Sequence, residues 1–222
     1  MPLPPMEWIK LNPTGTTSPP ALSHGCLMGP VYPDSTSSLP AFNQAFLFGG
    51  LSSAGTSNNG LYILDYSNDI PSWSQPPPTT SSLFTSSPQA RSHFLCGWDS
   101  ASNFRNQLNI YGGRAQDGQP LADFWYYDPT NHFWAQPNQF QPSNHPPNYG
   151  AVGGIDPIYL PAPPGTSNSM IFLGGANASH SSNTLLPNSL SVDGQLGSNT
   201  NTINIISSMV VGAPPVPSCL VS

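Results

Sequence analysis

Basic residues are almost absent from this chain. Its 222 residues include four Lys plus Arg against ten Asp plus Glu, and charged residues of every kind make up 6%. The net charge of −6 argues against a nucleic-acid partner, because affinity for a phosphate backbone is dominated by Lys and Arg. Cysteine is scarce too. Cys26, Cys96 and Cys219 show no short metal-ligand spacing, and Cys26 and Cys96 read as small buried hydrophobes. Long apolar runs are missing as well. The longest near the C-terminus, about residues 203–211, is too short to span a bilayer and is broken by Ser207 and Ser208. No membrane span is expected. From Met1 to Trp8 there is neither a basic segment nor an apolar stretch, so no signal peptide is visible. As written the chain reads as cytoplasmic. A start further upstream would reopen a cell-surface or secreted location, which the low charge and abundant Ser, Thr and Asn resemble.

Helical patterning is the last absence. No long segment has apolar residues at helical spacing, and 28 Pro and 20 Gly starve helices and punctuate turns. The fold class is therefore all-β.

What is present is a repeat. Three short apolar runs each end in two glycines: Ala45–Gly50, Leu108–Gly113 and Met170–Gly175. Gly49, Gly112 and Gly174 stand 63 and then 62 residues apart. Other landmarks keep step: Ser23-His24 with Ser92-His93, Asp65 with Asp128, and Trp73 with Trp134. A fixed period of this size marks units that cannot bury their own hydrophobic faces alone. The runs are long enough for buried strands and too short for helices. Glycines behind a strand permit positive φ in the exit turn. Asp65 and Asp128 open turns by accepting from their own downstream N–H groups. Each unit reads as a four-stranded meander.

These residues resemble the kelch repeat, whose pattern has Arg and a small residue or His on a first strand, a second strand ending in Gly-Gly, a third ending in Asp and a Trp at the fourth. The second unit matches through Arg91-Ser92-His93, Gly112-Gly113, Asp123, Asp128 and Trp134. The first matches through Ser23-His24, Gly49-Gly50, Asn59, Asp65 and Trp73, with Leu22 where the Arg would stand. The third offers Asn148-Tyr149-Gly150-Ala151, Gly174-Gly175 and Asn188–Asp193, with no Trp after it. The resemblance implies about three four-stranded antiparallel blades of a β-propeller, at about residues 20–75, 88–136 and 147–193. An extra fourth strand is expected near 7–11, around Trp8, and a low-complexity tail without order over 194–222.

Three blades are fewer than the four to eight that usually close a ring. The chain therefore reads as a partial propeller with exposed strand edges, inviting aggregation or self-association. The variant is a homodimer in which each Trp8 strand completes the other copy's third blade.

No catalytic, cofactor-binding or metal residue is assigned, and no cofactor is expected. His24 and His93 hold a repeated position, where packing and hydrogen bonding explain them; His132, His145 and His180 add no ligand spacing. The kelch resemblance brings in copper-radical sugar oxidases of similar fold, yet their Tyr–Cys, Tyr and paired His set has no residue-by-residue match here. Phe124-Trp125-Tyr126-Tyr127 resembles a sugar-stacking platform, but strand alternation favours packing between sheets. Asn177-Ala178-Ser179 is one N-glycosylation acceptor. Kelch propellers mostly bind proteins through loops at one end, which here are Leu51–Asn58, Arg114–Pro120 and Ala176–Pro187. The implied function is a non-catalytic interaction module with a protein partner. The alternative is an extracellular carbohydrate-binding protein or a degenerate galactose-oxidase relative.

Overall fold

The structure is a computed structural model that describes residues 10, 12–15, 17–30, 43–78, 86–99, 107–136, 147–155, 169–173, 175–176 and 190–193. Among them are sixteen strands and no helix. The first unit supplies β1 (Thr14–Gly15), β2 (Leu22–Ser23), β3 (Cys26–Met28), β4 (Gln44–Phe48), β5 (Leu51–Ser52), β6 (Leu61–Asp65) and β7 (Ser72–Ser74). The second supplies β8 (Arg91–Ser92), β9 (Leu95–Asp99), β10 (Gln107–Tyr111), β11 (Arg114–Ala115), β12 (Phe124–Asp128) and β13 (Phe133–Ala135). The third supplies β14 (Val152–Ile155), β15 (Ser169–Leu173) and β16 (Leu190–Asp193).

Each unit is an antiparallel meander. The sheets run β3-β4-β6-β7, β9-β10-β12-β13 and β14-β15-β16, while β2 with β5 and β8 with β11 form small two-stranded sheets. The expected first strand is therefore split. It breaks at His24 and at His93, both at φ 55°, a left-handed conformation in which His is enriched over bulkier residues. The extra strand expected near 7–11 falls on residues outside those described, except Lys10, which is in no strand. A separate strand, β1, runs parallel to β7 at the edge of the first sheet. Residues 194–222 lie outside the described residues.

Alternation along the strands builds the core. Register puts Cys26, Phe48 and Leu61 abreast, with Phe46 beside Ile63, on one face of the first sheet. On the second sheet Cys96, Ile110 and Trp125 share a face with Trp98, Leu108, Tyr127 and Trp134. The two faces meet in a single buried cluster. Phe46 stacks on Trp98 at 5.1 Å and Phe48 meets Trp134 at 4.8 Å. Each fully buried side chain of this size contributes about 1.5–3 kcal/mol. At the outer faces of the array Leu27 is 54% exposed and Val152 75%.

The cysteines correct the sequence reading. Cys26 and Cys96 are not two separate small hydrophobes: they form a disulfide across the junction, with Cα atoms 6.3 Å apart. Their offset explains it. Cys26 pairs with Phe48, just before the first Gly-Gly, whereas Cys96 pairs with Ile110, one residue earlier in its own unit. A one-residue offset reverses the side chain's direction, so the two thiols point toward each other from neighbouring sheets.

The join between units repeats. Gly50 N–H donates to Arg91 O at 2.9 Å, and Gly113 N–H to Asn148 O at 2.6 Å. Asn58 N–H donates to Gly50 O and Leu121 N–H to Gly113 O, each at 2.8 Å; Asn58 O accepts from Arg91 N–H and Leu121 O from Asn148 N–H. His93 N–H donates to His24 O at 3.1 Å, and Gly150 N–H to His93 O at 2.7 Å. The glycine pairs share their backbone as well, with φ 65° and 101° at Gly49 and Gly50 against 63° and 99° at Gly112 and Gly113. The second unit thus sits on the first as the third sits on the second.

Candidate functional site

Behind the first two Gly-Gly pairs the chain emerges at one end of the sheets. There β5 leads into the loop Ser53–Asn58, and β11 leads into the turn Gln116–Pro120. Gly55 and Gly118 hold these tight turns at φ 74° and 86°. A Gln116 side-chain oxygen accepts the Ser57 N–H and ties the loops of two successive units together. Between them lies a cleft of about 210 Å³ lined by Leu51, Ser57, Ser92, Arg114 and Gln116, among others.

Arg114 is held in place. Its Nε donates to Gly118 O at 3.2 Å, and its guanidinium lies 5.9 Å from the ring centre of Tyr149 in the third unit. Asp117 also lines the cleft, and its Oδ1 accepts from Gln119 N–H at 3.0 Å.

The matched histidines stand at the same end. Their rings stack with centroids 3.9 Å apart. Nδ1 of His24 lies 3.1 Å from Ser23 Oγ, and Nδ1 of His93 lies 3.0 Å from Ser92 Oγ. Burial holds the His93 pKa below the ordinary imidazole value, and the neighbouring charges of His24 and Arg114 push the same way. Two imidazoles stacked this closely and backed by a guanidinium disfavour a further positive charge.

The other sequence candidates are structural. Arg91 is fully buried and grips Asp123 with two bonds of 2.6 and 2.7 Å, while also donating to Gly112 O and Gln89 O. Trp125 Nε1 donates to the same carboxylate at 2.7 Å. The first unit replaces both partners. Leu22 stands for Arg91, and Gly60, whose carbonyl accepts from Gly49 as Asp123 O does from Gly112, stands for Asp123. Asn59, matched from sequence, is one residue early. Along β12, Phe124, Trp125 and Tyr127 are buried, so these rings fill the space between sheets and present no exposed platform. His132 lies 3.2 Å from the Tyr127 hydroxyl. Asp65 accepts from both the hydroxyl and the N–H of Ser67, and those two bonds hold its pKa low. Asp128 accepts from Thr130 and Asn131 N–H. The acceptor Asn177, His145, His180, Cys219 and most of the loop Ala176–Pro187 lie outside the described residues.

Among the described residues no group of three or more His, Cys, Asp or Glu could hold a metal ion, and no helix is long and apolar enough to cross a membrane. Sequence reasoning identified both loops but missed the cleft, because Arg114 and Gln116 belong to no repeated landmark.

No family model matches the chain, and no curated protein matches it. Among solved structures it is similar to one titled "Structure of YjhT", with a TM-score of 0.53 and 12% identity. The alignment covers 83% of this chain and 46% of that one, so the chain spans about half the length of that structure. The likeness is one of fold.

Proposed function

We propose that the chain contributes kelch-type β-propeller blades and acts as a non-catalytic interaction module, binding a protein partner through the loops that follow its Gly-Gly pairs. The observation that carries this reading is the Ser57–Gln116 tie, which joins loops from successive units into one face over a rigid scaffold. Binding loops positioned in this way are a common use of such a scaffold. The repeated junction and the fold likeness support the blades, and the exposed Leu27 and Val152 at the two outer faces are in keeping with a partial ring.

The disulfide favours a second reading. Disulfides persist in oxidising compartments and are rare in the cytosol, so Cys26–Cys96 agrees with a cell-surface or secreted carbohydrate-binding protein. One experiment separates the two. The purified protein is presented in parallel to a displayed peptide library and to a glycan array. Peptides selected repeatedly, whose binding falls at least tenfold in Gln116→Ala and Ser57→Pro variants, support the protein-binding reading. Glycan binding without peptide binding would replace it.

A further inference from the structure

We infer that the cleft around Arg114 receives a carboxylate carried by an acidic side chain of the partner; this deepens the protein-binding reading and rests on it. The chain has four basic residues, Lys10, Arg91, Arg105 and Arg114, of which Arg105 lies outside the described residues. Arg91 is buried against Asp123, and Lys10 is exposed in irregular chain. Among the described residues Arg114 is the Lys or Arg that lines this cleft. Among the described residues no carboxylate lies within ion-pair distance of it, in a molecule of net charge −6.

Its pose is already fixed by Gly118 O through Nε and by the Tyr149 ring. That leaves the paired Nη groups, which match the two oxygens of a carboxylate, and less side-chain freedom is lost on binding. The neighbours add donors. Because the Gln116 oxygen is engaged by Ser57 N–H, what Gln116 offers a ligand is its NH₂ group, and Ser57 contributes a hydroxyl. Asp117 shares the lining, but its carboxylate accepts from Gln119 N–H and makes no ion pair with Arg114; one guanidinium beside it, with neutral donors, suits a monoanion at most. An acidic chain with a single guanidinium is a poor host for a dianionic phosphate.

The test follows the Arg114 Nε–H signal by NMR during titration with N-acetylglutamate α-amide, its glutamine counterpart, and glucuronate, all at low ionic strength. The expected result is a saturable shift with the glutamate compound, about tenfold weaker with the glutamine compound. In parallel, backbone amide shifts of Ser57 and Gln116 should respond in the native protein, respond weakly in Arg114→Lys, and stay still in Arg114→Gln. Equal responses to the glutamate and glutamine compounds, or an unchanged Arg114→Gln, would overturn the inference. Glucuronate binding tenfold tighter than the glutamate compound would overturn the peptide source. Library peptides that bind the loops without an acidic residue, indifferent to Arg114→Gln, would sink this inference and leave the protein-binding reading standing.

Discussion

Replacing Gly112 by alanine places a methyl group onto the Asn148 carbonyl oxygen and 3.1 Å from that of Leu121, at a residue with φ 63°. Two costs add. A left-handed conformation costs an L-residue roughly 1–2 kcal/mol. Displacing Asn148 also weakens two junction bonds, Gly113 N–H to Asn148 O and Asn148 N–H to Leu121 O, each contributing about 0.5–1.5 kcal/mol. The expected loss is about 3 kcal/mol, or roughly 6–12 °C in Tm for a chain of this size. Gly55→Ala is the control. Its φ is 74°, but an added Cβ there meets nothing within 4 Å, so only the conformational cost remains, roughly 1–2 kcal/mol. Urea unfolding of both variants with the disulfide intact measures the difference directly. Equal losses for the two glycines would refute the claim that Gly112 serves the junction between units.

Removing the disulfide with Cys26→Ala plus Cys96→Ala opens a closed loop set by a sequence separation of 70. The chain-entropy estimate for that loop is about 4 kcal/mol; the urea midpoint should fall, and dithiothreitol should then have no further effect. Asp123→Ala strands a fully buried Arg91 and should cost about 3–5 kcal/mol, read by thermal melts, whereas Asn59→Ala should change little. His93 titrates lower in the folded chain than in the unfolded one. The unfolded state therefore binds the extra proton first, and stability should decline as pH falls below about 6.5 until the folded group also charges. His93→Asn, which tolerates the same backbone, should flatten that part of the pH–stability curve.

The repeat was legible because its landmarks answer to local rules. Gly49, Gly50, Gly112 and Gly113 all take the positive φ that glycine behind a strand permits, and Asp65 and Asp128 both cap turns as their spacing predicts. Trp73 and Trp134 lie on the fourth strands, β7 and β13. Cross-unit chemistry was not legible in the same way. The disulfide joins positions that are one residue out of step, so aligning equivalent residues hides it. The break at His24 and His93 reflects a tertiary bond, His93 N–H to His24 O, that no strand pattern announces. Arg114, on the cleft's lining, also reaches Tyr149, a contact between residues 35 positions apart in sequence. In the third unit Gly150, read from sequence as part of a strand, takes the place of the two histidines in the junction, and its φ of 71° shows that the backbone shape, not the imidazole, is what the junction requires.

The central claim is that one junction, used twice, builds the face on which the loops stand. Native-state hydrogen exchange at four amides tests it most directly: Gly50 and His93 at the first junction, Gly113 and Gly150 at the second. If the claim holds, all four exchange as slowly as mid-strand amides such as Ile63 and Ile110, and all four speed up together when Cys26 and Cys96 are replaced by alanine. Exchange at loop rates for these four, with β4, β6, β10 and β12 still protected, would contradict it: the units would then be separate sheets without a shared face.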